Sequence, residues 1–283
     1  MRTPLLSVGE FRCPRGDASW SETNLIGDRA HVVFPRVPVV IRQADHDPVL
    51  ATANHTMLYD ANQPYEREAR SELGDDCVFV ELPDASLASL ADEGAELIGD
   101  DHRMRSTHAP ADRRTYLLQH LLVRHLREQP GDLVTAEEIA VRLVLAALSE
   151  APPRERARRR TTTAAHRELA EAAKAELAAN PAARTTLNQL AKRLHTSAFH
   201  LARVFRAETG FAVAQYGRAL RLRAALERLP GSERDLSTLA LELGFSSHSH
   251  FAASFHREFG MQPTAVRDSR RARAMLESPL LAT

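Results

Sequence analysis

Apolar positions recur in two rhythms along this chain. Early on they form short β-branched runs, His31-Val-Val-Phe34, Val37 to Ile41, Val49 to Thr52, Thr56 to Tyr59 and Cys77 to Leu82. Pro35, Pro38, Pro48, Pro64, Gly74 and Asn/Asp clusters separate them, which predicts a compact antiparallel barrel or sandwich. From residue 112 the period lengthens to that of helices, over Asp112 to Gln129 and Thr135 to Glu150. Thr135 and Glu138 fit a capping box for the second of these, after the Pro130-Gly131 break. Tyr116, Leu117, Leu121 and Leu122, with Leu118 and Val123 beside them, give the first helix a broad apolar surface. Ile139, Leu143, Ala146 and Ala147, widened by Val144, Leu145 and Leu148, do the same for the second. Such faces either complete the core of their own domain or meet a second subunit.

The pattern then repeats itself. Leu187-Asn-Gln-Leu-Ala-Lys-Arg-Leu194, followed by Leu201, Phe205, Glu208 and Gly210, returns as Leu236-Ser-Thr-Leu-Ala-Leu-Glu-Leu243, followed by Phe251, Phe255, Glu258 and Gly260. The offset is 49 residues up to Leu243 and 50 from Phe251 onward, so the second copy has one extra residue in its turn. Each copy reads as a helix-turn-helix, about 187–208 and 239–260. In the first, Leu187, Leu190 and Leu194 form a stripe, Ala191 keeps the crossing small, and Ser197 is placed to cap a helix running to about Thr209. At 100° per residue, Leu201, Val204, Phe205 and Glu208 fall on its inner side, and Phe199, Ala202, Arg203 and Arg206 on its outer side. In the second, Phe251 and Phe255 point inward, Ser249, Ala252, Ala253 and His256 outward, and His248 and His250 flank the helix start. Gly244 stands where the chain leaves a helix, a place favouring positive φ, and its counterpart His195 belongs to a residue type enriched there. Two equivalent helix pairs suit a periodic partner, and duplex DNA offers major-groove faces about 34 Å apart.

These residues carry a family likeness. Leu190-Ala191, His200-Leu201, Phe205-Arg206, Glu208-Thr-Gly210, the link Tyr216 to Arg223, Leu243-Gly-Phe-Ser-Ser247, His250-Phe251, Phe255, Phe259-Gly260 and Pro263 resemble the AraC/XylS family of bacterial transcription regulators. The resemblance covers roughly residues 166 to 268. It implies seven helices, with a long central one at about Val213 to Leu229 holding both reading helices toward one side of DNA. It further implies a cupin-like jelly roll at the N-terminus that binds an effector, dimerises the protein, or both. Ala53-Asn-His-Thr-Met-Leu-Tyr59 and Gln63-Pro-Tyr65 are similar to segments of such regulators. The expected class is therefore α+β: a small antiparallel, degenerate cupin-like or jelly-roll-like effector domain (1–110) and a helical dimerisation segment (111–150). A linker (151–165) and an all-α DNA-binding domain (166–272), with two helix-turn-helix units joined by a long helix, follow. Expected partners are double-stranded DNA, RNA polymerase, a small-molecule effector and a second copy of the chain, with no cofactor, metal or membrane.

Charge supports this division. The net charge is zero, yet residues 1–150 hold 15 Lys+Arg against 25 Asp+Glu, and residues 151–283 hold 22 against 12. The half with the helix pairs is the basic one, suited to phosphate by counterion release. The run Ala151-Pro-Pro-Arg-Glu-Arg-Ala-Arg-Arg-Arg160 cannot continue a helix through its prolines; its arginines are either solvated or touch phosphate. Cys13 and Cys77 alone exclude a disulfide framework. Met1 to Phe11 lacks the pattern of a secretory signal, and no apolar run is long enough for a membrane helix, so a cytoplasmic protein is expected.

Site residues follow from position. Arg203 is the candidate for bidentate readout of guanine, Phe199 either meets a thymine methyl or packs on the turn, and Ala202 lies beside them. In the second unit, Ala252 and Ala253 replace the longer polar residues common in the family. Weak selection is therefore expected there, through His248, Ser249 and His250. Ser197, Arg206, His256 and Arg257 are expected at phosphates. An enzyme is not expected. His31, His46 and His55 occur singly, and the His248-Ser-His250 pair diverges by about 200° on a helix, which prevents chelation. The competing class is a small-molecule-binding or metal-dependent cupin whose C-terminal half only localises it to DNA.

Overall fold

The computed structural model describes the chain apart from residues 18, 19, 21, 45, 94, 150–159, 231–234 and 268–283, and apart from the side chains of 160–163. It divides into two compact units, residues 1–155 and 156–283.

The first unit contains β1 (Ser7–Cys13), β2 (Asn24–Leu25), β3 (Ala30–Pro35), β4 (Val39–Gln43), β5 (Val49–Ala51), β6 (His55–Tyr59), β7 (Pro64–Ala69), β8 (Asp75–Leu82), α1 (Asp84–Asp92), β9 (His108–Pro110), α2 (Arg113–Glu128) and α3 (Leu133–Ser149). Two antiparallel sheets form, in the orders β1-β8-β3-β6-β9 and β2-β7-β4-β5. They share a core: Val39, Ile41, Val49 and Ala51 from one, with Ile26 just after β2, pack with Met57 and Tyr59 from the other. In β3 and β8 the alternation is that of a half-buried strand, with Val32, Val78 and Val80 fully buried. Pro64 heads a strand where the sequence suggests a break, a tolerated place for proline because the first residue need not donate to the ladder.

A buried cation lies in this unit. Arg67 of β7 is 6% exposed and holds the Asp75 carboxylate at 3.2 Å. Its guanidinium lies 4.8 Å from both the Phe11 and the Trp20 ring centroids, and one nitrogen is 3.3 Å from Cys13 Sγ. Burial pushes the Asp75 carboxyl above its usual pKa despite the pull of Arg67. Cys13 and Cys77 are both buried and are not joined in a disulfide.

α2 starts at an Asp112 cap that accepts from the Thr115 N–H at 2.7 Å. From Thr115 to Arg124 it is buried all round, the mark of a core helix. Its apolar surface is thus taken up within the chain, whereas Val134 of α3 is 83% exposed and Leu133 and Leu145 are partly so. α3 begins two residues before Thr135, because Asp132 caps it instead, accepting from the Thr135 N–H at 3.2 Å. The Thr135 capping box is corrected accordingly.

The second unit holds seven helices among the described residues: α4 (Arg160–Ala179), α5 (Leu187–Arg193), α6 (Ala198–Thr209), α7 (Val213–Arg228), α8 (Leu236–Glu242), α9 (His248–Phe259) and α10 (Pro263–Arg267). α4 begins inside the stretch expected to be linker; residues 151–159 and the boundary at 272 lie outside the described residues. Leu190, Leu201, Phe205, Tyr216 and Leu222 are buried around the first helix pair, and Leu239, Phe251, Phe255 and Phe259 around the second. The phenylalanines of the second form a ladder with centroids 5.7 Å and 4.7 Å apart. Arg193 of α5 pairs with Glu176 of α4 at 3.0 Å, and Arg228 of α7 pairs with Glu242 of α8.

Candidate nucleic-acid interface

Each outer helix is started by a serine. Ser197 accepts from the His200 N–H at 3.2 Å and Ser247 from the His250 N–H at 3.1 Å, satisfying a backbone donor that the first turn would leave unpaired. Each inner helix is capped too, α5 by a Thr186–Gln189 capping box and α8 by Asp235. The turn before α6 needs a left-handed residue at His195 (φ 52°), and the turn before α9 needs one at Gly244 (φ 78°). Both positions agree with the sequence expectation. α6 and α9 end alike, at Gly210 and Gly260, both left-handed.

The two outer helices then bury equivalent positions. Leu201, Val204, Phe205 and Thr209 are buried, as are Phe251, Ser254, Phe255 and Phe259 fifty residues later. Arg203, Arg206 and Ala207 are exposed, as are Ala253, His256 and Arg257. Phe199 is 91% exposed, so packing on the turn does not account for it. Its counterpart Ser249 and the flanking His248 and His250 are also exposed, while Ala202 and Ala252 are half-buried. On α6, then, Phe199, Arg203 and Arg206 share one open face at i, i+4 and i+7. The matching face of α9 offers Ser249, Ala253 and His256, with neither a phenyl ring nor an arginine.

One neighbour of this face escaped the sequence reading. His200 Nδ1 accepts from Arg203 Nη2 at 3.1 Å, and the ring meets His166 of α4 edge-on at 5.5 Å. The i, i+3 spacing of His200 and Arg203 was the available signal. In the second pair, Ser246 Oγ lies 2.8 Å from His250 Nδ1, and the His250 ring meets Phe245 edge-on at 5.7 Å. His248 and His250 both fall in the first turn of α9.

The histidines considered for a metal in the first unit are engaged otherwise. His31 lies 3.6 Å from Glu81 and stacks on Phe79, His46 contacts the Ala44 carbonyl, and His55 accepts from the Thr52 N–H. Among the described residues no group of three His, Cys, Asp or Glu gathers as a metal site, and no helix is long and apolar enough to cross a membrane.

Comparison with known proteins meets this geometry. The family described as a helix-turn-helix domain matches residues 190–269, from α5 through α10. The transcriptional activator RhaR of Yersinia pseudotuberculosis serotype O:3 is 38% identical over 96 residues, 34% of this chain and 29% of that protein. The activator RhaS of Shigella boydii serotype 18 is 37% identical over 70 residues, 25% of each protein. The matches therefore span less than a third of these relatives. A solved Chromobacterium violaceum regulator with an AraC-type DNA-binding domain is 25% identical, covering 39% of this chain and 97% of its own, at a TM-score of 0.35. Residues 190–269 thus match a helix-turn-helix family, in keeping with the AraC/XylS resemblance read from the sequence.

Proposed function

We propose that the protein is a sequence-specific, DNA-binding transcription regulator that lays α6 and α9 in successive major-groove segments. The observation that carries this reading is the equal burial order of the two helices, which leaves equivalent faces open in one basic half of the chain. Arg203 reads guanine, Phe199 meets a thymine methyl beside Ala202, and Ser197 and Arg206 hold phosphates. On α9, His248, Ser249 and His250 read weakly, and His256 and Arg257 anchor the backbone. The relatives' printed role as transcriptional activators supports transcription as the output, with RNA polymerase as a further partner.

The N-terminal sandwich is the part that senses a small effector and pairs two chains. Polar groups within the sandwich, the buried Gln43 donating to the Leu58 carbonyl and the half-buried Gln63 donating to Gln43, support an effector with hydrogen-bonding groups. A ligand present at 100 times its Kd stabilises its target by about 2.7 kcal/mol, within reach of thermal-shift screening.

Selection of duplexes from a randomised pool by the full-length protein, at about 150 mM salt to suppress non-specific binding, tests the central claim. One well-defined box beside a looser one about a helical turn away is the expected result. No enriched motif, with and without candidate effectors, would refute it.

A further inference from the structure

Three arginines converge where the two helix pairs meet. Arg184, in the segment leading into α5, donates from Nε to the Gly244 carbonyl at 2.8 Å, in the turn before α9. Arg221 of α7 lies over the Phe245 ring, 5.5 Å from its centroid. Arg218 stands one helical turn before Arg221, on the same face of α7. None of the three has an ion pair among the described residues, and Arg221 Nε is buried without a hydrogen-bond partner there. The charges felt by Arg221 are those of its fellow arginines: burial, then Arg218 and Arg184, hold its guanidinium below its ordinary pKa. Three cations gathered with no carboxylate paired to any of them among the described residues are costly unless an anion joins them.

The position says which anion. Phe245 carries Arg221 on one side and meets the His250 ring on another, at 5.7 Å, so the cluster adjoins the start of α9. Arg184 precedes the Thr186 cap of α5 by two residues, so the cluster also adjoins the start of the first helix pair. DNA held by both outer helices presents backbone between its two groove segments, and the groups it presents there are phosphates. A guanidinium fork fits a phosphate with two parallel hydrogen bonds.

We propose that Arg184, Arg218 and Arg221 form a phosphate clamp on the DNA backbone that runs between the two reading helices, an assignment that rests on the DNA-binding reading above. The clamp reads no base. It fixes the spacing and phase of the two groove contacts, and it gives the weakly reading second pair an anchor independent of its own helix.

The test uses the full-length protein and a labelled random-sequence duplex of about 40 base pairs, titrated by fluorescence anisotropy between about 50 and 200 mM KCl. Each phosphate contact adds roughly 0.9 to the slope of log K against log salt, so Arg218→Gln or Arg221→Gln should make the slope shallower by about one, and the triple glutamine variant by two to three. Arg184→Lys should keep the wild-type slope. A merely structural role would lower affinity at an unchanged slope, and circular dichroism of the half-exposed Arg218→Gln variant checks that the fold survives. A triple variant with the wild-type slope overturns the clamp while leaving DNA binding intact. Wild-type protein that binds no duplex overturns both. Stabilisation of the wild type by inorganic phosphate at constant ionic strength, lost in the triple variant while the duplex slope stays the same, would make this a free-anion site and overturn the DNA assignment.

Discussion

Gly244→Ala should be among the most damaging single-methyl additions in the second unit. Gly244 has φ 78°, and a side chain in the left-handed region costs about 1–2 kcal/mol, of which the lower entropy of unfolded alanine returns about 0.4–1. The methyl would also stand 2.0 Å from the Ala182 carbonyl oxygen, a backbone atom that cannot swing aside as a side chain can. Overpacking of this kind adds about 1–3 kcal/mol, for a total of roughly 2–4. His195 holds the equivalent left-handed place in the first pair and is exposed. Relief of strain and loss of unfolded-state restriction nearly cancel there, so His195→Gly should stay within about 0.5 kcal/mol of wild type. Urea denaturation followed by far-ultraviolet circular dichroism measures both. The chain's single tryptophan, Trp20, belongs to the other unit, and its fluorescence transition should not move, which makes it an internal control. A Gly244→Ala cost below about 1 kcal/mol, or an equal cost for His195→Gly, would refute the argument.

Other perturbations separate reading from folding. Phe199→Ala should leave stability within about 0.5 kcal/mol, because the ring is exposed, yet weaken binding to selected duplexes. Arg203→Ala should relax selection at one base position by about 1–3 kcal/mol; equal losses on all sequences would show that it only holds phosphate. Arg67→Met should cost about 3–5 kcal/mol in the Trp20-detected transition, since Asp75 would be left buried without its cation. Burial raises the Glu10 carboxyl, but Arg36 and Arg127, the latter at 2.8 Å, outweigh it and hold its pKa below the usual 4.5. The stability Glu10 contributes is thus present above its unfolded pKa and lost as pH falls through the lowered folded value. Glu10→Gln should therefore flatten the acid limb seen by Trp20 fluorescence, and an unchanged limb would count against the pairing.

What could be read from the sequence followed the strength of its period. The helix pairs were legible because the motif occurs twice, so a weak signal such as His195 could be judged against Gly244. The strands were legible where alternation was apolar, as in β3 and β8. β7 was not: its one buried position is Arg67, so the inward side of Pro64-Tyr-Glu-Arg-Glu-Ala69 carries no apolar signal. β1 was hidden by Gly9, which reads as a breaker, although a Cβ there would meet the Phe79 ring opposite at 2.3 Å. α1 buries only Leu87, too little to make a stripe. On the candidate interface, the outward positions of α6 were legible from the 100° turn, but contacts reaching across the repeat, such as Arg184 to Gly244, have no local pattern to announce them.

The junction at Ala182, Arg184 and Gly244 also bears on modularity. Duplicated helix pairs look like interchangeable cartridges, each free to be replaced to give a new binding preference. Here the lead-in of the first copy is seated in the turn of the second, with an alanine carbonyl filling the space that a glycine leaves and an arginine fastened to that glycine's own carbonyl. A graft of residues 235–267 from another protein would thus inherit a mismatched seat unless residues 182–184 travelled with it. Under the proposed DNA-binding reading, the exposed faces of α6 and α9, outside that seat, are where preference can drift one side chain at a time.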